Sequence, residues 1–226
     1  MVKKIIQLLI KILKGREFKF DENVTDYYIF IISMSRLVCM VRGLILTGRF
    51  LFVGQGSKIL GTNKLKVSRG VEIGRYSSID CMSRCGLSIG RGSKIGDFCI
   101  IKVSGTLADL GSKIQIGKNV GIGDFCHIGG SGGVIIGSES IFGAYVSVHP
   151  ENHLFSNPNK LIREQGVERL PVSIGENCWI GAKSTFLAGS GVGNNCIVAA
   201  GSVLTKRFPD DVIVAGIPAK VLRTRN

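Results

Sequence analysis

The chain has 226 residues, 45% of them hydrophobic, with 31 glycines and a formal net charge of +13. That size and apolar content suffice for a continuous core. The basic residues are scattered, are rarely interleaved with aromatics and form no groove-entering motif, which argues against a nucleic-acid partner. Seven cysteines without a paired CxxC or a secreted-type framework point to a reducing, cytoplasmic setting.

Residues 1–50 carry no six-residue repeat and are read as a separate amphipathic, helical segment. Ile5, Leu8, Leu9, Ile12 and Leu13 recur at helical spacing, with Lys4, Gln7, Lys11 and Lys14 mostly opposite. This predicts a short basic amphipathic helix. Gln7 and Lys11 interrupt the apolar run and no small-residue cleavage site comes after it, unlike a signal peptide. Residues 27–53 are strongly apolar but broken by Arg36, Arg42 and Arg49, short of the ~20 uninterrupted apolar residues of a spanning helix. Two outcomes are expected for this segment: peripheral attachment to the inner membrane through anionic lipid, or packing on the end of the domain formed by the rest of the chain.

From residue 51 to 204 the pattern changes. Ile174, Ile180, Phe186, Val192, Val198 and Leu204 share one six-residue phase, and Cys178, Ser184, Ser190, Cys196 and Ser202 occupy a small position four residues on. The same register appears through Ile73 and Ile79, then Ile89, Ile95 and Ile101, then Ile116, Ile122 and Ile128, then Ile136, Phe142 and Val148. A bulky side chain filling the middle of a narrow parallel β-coil, with glycine as at Gly175, Gly181 and Gly193 easing the corners, predicts one β-solenoid whose coils bury their apolar faces on each other. Periodicity does not give its hand. Cys99, Cys126, Cys178 and Cys196 fall at the small interior position and read as buried; Cys39, Cys81 and Cys85 lie outside the register. The ladder is read through Val148 and Leu154, loses phase over residues 155–171 and resumes at Ile174, so an excursion leaves the coil there. His149 and His153, two of three histidines, stand at its entrance, and long loops on rigid scaffolds commonly carry function.

Three blocks carry a family resemblance: PVSIGENCWIGA at residues 171–182, AGSVLTK at 200–206 and AGIPAKVLR at 215–223. The chain resembles the hexapeptide-repeat acyltransferases, particularly the maltose, galactoside, nodulation-factor and bacterial polysaccharide O-acetyltransferases. The resemblance implies a mainly β fold, a left-handed parallel β-helix, and a homotrimer with acetyl-coenzyme A between neighbouring subunits and no metal. It also implies a glycan, lipid-linked or nucleotide-sugar acceptor. It makes His153 the general base, an imidazole able to accept a hydroxyl proton near neutral pH, and the Ala182 backbone N–H an oxyanion donor. Ala182 and Ala200 match pantetheine-binding positions; Thr205, Lys206, Lys220 and Arg223, in a coenzyme-binding tail over residues 205–226, match those facing the nucleotide and phosphates. Asn152, Trp179, His149 and His127 are candidates for the acceptor site. Arg207 stands where relatives often carry an acidic residue. The two-residue insertion between Ile128 and Ile136 is expected to leave His127 on another face of the coil. Competing readings are N-acetylation of an amino-sugar nucleotide, a trimeric zinc carbonic anhydrase, a non-catalytic scaffold and a Cys178 relay.

Overall fold

The computed structural model describes residues 2–14, 17 and 19–225. Helix α1 (Val2–Lys14) is followed by helix α2 (Asp26–Thr47). The side chains of Lys4, Leu9, Leu13 and Lys14, with residues Met1 and Arg16, lie outside the described residues, so their expected place on the amphipathic helix is not described. Both ends of α2 are capped. Thr25 Oγ1 accepts the Tyr28 N–H at 3.2 Å, and Gly48, in the left-handed region at φ 67°, donates its N–H to Leu44 O at 2.8 Å. Arg36 and Arg42 both reach the first coils, so these arginines, which interrupt the apolar run, serve the packing of the helix.

From Leu51 onward the chain winds into three parallel sheets. The first runs from Phe52–Val53 to Val212–Gly216, the second from Lys58–Leu60 to Val203–Leu204, and the third from Leu65–Val67 to Arg207–Phe208. Because successive side chains alternate faces, a two-residue strand sends one apolar side chain inward, while longer strands of the third sheet send two, such as Leu87 with Ile89 and Val134 with Ile136. The predicted phase is the core: Ile73, Ile95, Ile122, Phe142, Ile180 and Val198 stack in the first sheet, all buried.

The small interior position has a specific task. Cys99, Cys126, Cys178 and Cys196 are buried, and each thiol meets a corner carbonyl of the next coil, for example Cys178 Sγ to Gly193 O at 3.1 Å. Ser140 Oγ does the same to Gly175 O at 2.9 Å and also accepts the Cys178 N–H at 3.0 Å. A short donor is therefore needed there, which serine and cysteine both supply. The glycines after the bulky residues are required by close approach: a Cβ on Gly175 would collide with the backbone of Gly193, and one on Gly181 with the backbone of Ala200. The left-handed backbone falls two residues later, at Asn177, Lys183 and Asn195.

Two expectations are corrected. Leu154 is not part of the ladder: it is 42% exposed, and the coil is left at Glu151, since Glu151–His153 already pairs antiparallel with Val167–Arg169. The solenoid does not stop at Leu204, because Phe208, Val212 and Val214 build a further buried coil. The tail then folds back as an antiparallel strand, Ala219–Thr224, on Val212–Gly216. Cys81, outside the predicted register, is fully buried, and burial pushes its thiol up to about 12.

Candidate active site

Two excursions leave the corner between the second and third sheets. The strand Ile100–Lys102 reaches Lys113–Ile116 through residues 103–112, and Ser147–Val148 reaches Val172–Ile174 through residues 149–171. Between them, His127–Gly129 turns directly into Val134–Ile136. A tight corner flanked by two long ones makes a cleft of about 490 Å³, lined among others by Lys102, Thr106, Asp109, His127, His149 and His153.

The longer excursion, residues 149–171, forms an arm that begins as the hairpin of Glu151–His153 with Val167–Arg169, and Arg169 at the end of this hairpin ties the two walls of the cleft. Its guanidinium meets Glu151 at 2.6 Å and Asp109 at 3.0 Å, and Leu110 O accepts from it at 3.4 Å. Its side chain is only 20% exposed. A planar fork satisfied by two carboxylates holds geometry as well as charge. The hairpin it anchors pairs His153 with Val167 and leaves the imidazole exposed at the cleft.

His127 pairs with Ser147 in the second sheet, and its ring stacks on that of His149, centroids 5.1 Å apart. His127 is therefore not on another face, as the insertion suggested; the insertion falls in the turn after it, and all three histidines share one cleft. Among the described residues, the buried His127 Nδ1 has no hydrogen-bond partner. Burial, then the neighbouring His149 and Lys102, lowers the proton affinity of His127, and burial lowers that of His149. Both are thus neutral at pH 7. The sign of the consequence comes from linkage: above pH ~6.5 both folded and unfolded forms are neutral, and below it the unfolded chain takes up protons first, so stability falls as pH drops. We expect Tm to decline from pH 7 to 5, and the His127→Asn/His149→Asn variant to show a shallower decline in a thermal melt.

The remaining predicted residues lie elsewhere. Trp179 stands exposed on the first sheet, between Ile141 and Ile197, away from the cleft. Ala182 and Ala200 occupy the corner between the first and second sheets, and among the described residues neither N–H has a hydrogen-bond partner. Thr205, Lys206, Lys220 and Arg223 are exposed at the C-terminal end; Lys206 Nζ lies 5.7 Å from the centre of the Phe208 ring. Asn152 is exposed on the arm beside His153. Cys178 points inward with its thiol pushed up to about 11 by burial, an environment for packing and not for nucleophilic attack. Among the described residues no group of three or more His, Cys, Asp or Glu is placed to hold a metal ion. Arg169, Asp109, Glu151 and Lys102 were not anticipated; the missing phase between Ile101 and Ile116 was the available signal for the second excursion.

Residues 171–206 match the family model described as the hexapeptide repeat of succinyl-transferase. The chain is 35% identical over 81 residues to the galactoside O-acetyltransferase of Escherichia coli (strain K12), covering 36% of this chain and 37% of that protein. It is 31% identical over 100 residues to a provisionally named lipopolysaccharide biosynthesis O-acetyl transferase of the same organism, covering 41% and 51%. It thus spans about half or less of the length of these curated relatives. Among solved structures, AntD, an N-acyltransferase from Bacillus cereus crystallised with a dTDP-amino sugar and coenzyme A, superposes with a TM-score of 0.56 at 22% identity, over 82% of this chain and 89% of that one. The fold is accordingly the left-handed parallel β-helix. In its three-sheet coil and in these matches the chain is similar to the hexapeptide-repeat acyltransferases.

Proposed function

We propose that the chain transfers an acetyl group from acetyl-coenzyme A to a hydroxyl of a bacterial glycan or glycan precursor, in a cytoplasmic setting. The observation that carries this reading is the cleft itself: a rigid coil turns tightly between two excursions, and an exposed imidazole, His153, opens onto a space lined by neutral histidines and polar groups. His153 takes the acceptor proton as the acceptor oxygen forms its bond to the thioester carbon. The tetrahedral oxyanion is held by the Ala182 N–H, and the C–S bond then breaks, the proton passing to the departing thiolate.

Ala182 and the histidine cleft lie at different corners of one chain, so this chemistry requires a second copy whose Ala182 corner faces the first copy's cleft. That is the reason a homotrimer belongs to the proposal. An exposed column at the Ala182 corner supports such contact: Tyr76, Phe98, Phe125 and Tyr145 stack with centroids 5.4, 5.0 and 4.9 Å apart. Stacked aromatics left half exposed favour association.

The unpaired amides of Ala182 and Ala200 suit pantetheine, and Thr205, Lys206, Lys220 and Arg223 suit the nucleotide and phosphates, which need fixed donors and positive charge. Lys206→Glu and Lys220→Glu are expected to raise the KM for acetyl-coenzyme A more than that for the acceptor. Unchanged coenzyme kinetics in both variants would return these lysines to ordinary surface.

A further inference from the structure

Helix α2 leaves a continuous apolar face uncovered. Phe30, Met34, Leu37, Val41, Leu44 and Ile45 fall on one side of the helix, each between 43% and 77% exposed, with no charge among them. The opposite stripe is occupied: Ile29, Gly43 and Thr47 are buried, and a Cβ on Gly43 would collide with Leu51 O. An apolar face this long is more than ordinary surface scatter. By length and composition, with a mean hydropathy of 2.0, the helix could cross a membrane. Its arginines argue for a different placement. Arg36 pairs with Glu72 at 3.2 Å and Arg42 donates to Val53 O at 2.8 Å, so the helix is bolted lengthwise to the first coils.

The flank between α2 and the solenoid is a cavity of about 600 Å³ with Arg36, Arg42, Arg75 and Lys94 on its walls, against the carboxylates Glu72 and Asp97. Glu72 is shared by Arg36 and Lys94, Asp97 is taken by Arg75, and Arg42 meets only a carbonyl among the described residues. Cationic charge is thus in excess beside the apolar face, at the depth where lipid phosphates lie when a helix rests in the interface. Helix α1 adds exposed Ile5, Leu8 and Ile12 on the same end of the molecule, held there by Arg91 Nη2 donating to Ile12 O at 2.8 Å.

We infer that α2 lies flat in the surface of an anionic bilayer, its apolar face among the acyl chains, with the cavity between α2 and the solenoid receiving lipid phosphate through Arg42 and Lys94. This goes beyond the acetyl-transfer proposal and does not rest on it. Within residues 1–50, for which attachment to anionic lipid was one expected outcome, α2 supplies the larger apolar face and α1 assists.

The test is co-sedimentation of the full chain with phosphatidylcholine vesicles with and without phosphatidylglycerol, beside size-exclusion chromatography of the same proteins. The full chain is expected to bind the anionic vesicles more tightly. Leu37→Glu/Val41→Glu should lose binding to both vesicle types while keeping its elution volume and Tm. Arg42→Gln/Lys94→Gln should lose about 30-fold in affinity for anionic vesicles, about fivefold for each charge, with little change on neutral ones. Four results would overturn the inference: no vesicle binding by the full chain, a Leu37→Glu/Val41→Glu variant that elutes as a smaller species because the face joins copies of the chain, equal affinity for both vesicle types, and release from anionic vesicles by inorganic phosphate at constant ionic strength. The last would make free phosphate the ligand of the cavity.

Discussion

Replacing His153 by alanine is expected to lower acetyl transfer by ~10²–10⁴-fold, the usual cost of removing a general base. The side chain is exposed on the arm and absent from the core, so the variant should melt like the parent and bind acetyl-coenzyme A with unchanged affinity. His149→Ala is the informative companion. His149 stacks on His127 on the cleft floor and is held neutral by burial, so its loss should raise the acceptor KM more than it lowers kcat. A dead His149→Ala with a fully active His153→Ala would move the base back to the start of the arm.

The second large effect is structural. Phe186 is fully buried in the second sheet, between Val148 and Leu204, and it sits on the coil after the arm. Phe186→Ala should cost about 3–5 kcal/mol, since the rigid strands on either side cannot close the cavity. Because each coil is stabilised by its neighbours, the loss should appear as a lower Tm for the whole domain, read by calorimetry, and not as local fraying. By contrast, Thr185→Ala on the outward side of the same strand should change little.

How far the molecule could be read from its sequence depends on what each feature needs. One inward side chain per short strand makes the core periodic, so Ile174 to Leu204 declare their positions directly. The last coil escaped because the corner before Phe208 is two residues short, which shifts Phe208, Val212 and Val214 out of the phase that ends at Leu204. The role assigned to the glycines was half right: close backbone approach demands Gly175 and Gly181, while the left-handed corners went to Asn177, Lys183 and Asn195. The arm was visible as lost phase, but its first residues, Glu151 to His153, look like a continuing strand because they do form one, paired with the arm instead of the coil. Arg169 meeting Asp109 from a distant part of the chain leaves no one-dimensional trace. The placement of His127 failed for a related reason: an insertion shifts only the residues after it, and His127 precedes the turn that absorbs the extra ones.

Acetyl transfer to a hydroxyl, with His153 as base, is tested most directly by thiol release from acetyl-coenzyme A in the presence of nucleotide sugars, free oligosaccharides and lipid-linked oligosaccharides, with mass spectrometry of the acceptor before and after mild alkali. Release should depend on the acceptor, disappear with His153→Ala and leave a product whose added acetyl is removed by alkali, as an ester is. An alkali-stable acetyl would make the acceptor an amine, and release that persists undiminished in His153→Ala, or never exceeds the rate without acceptor, would contradict a histidine-driven acetyl transfer at this cleft.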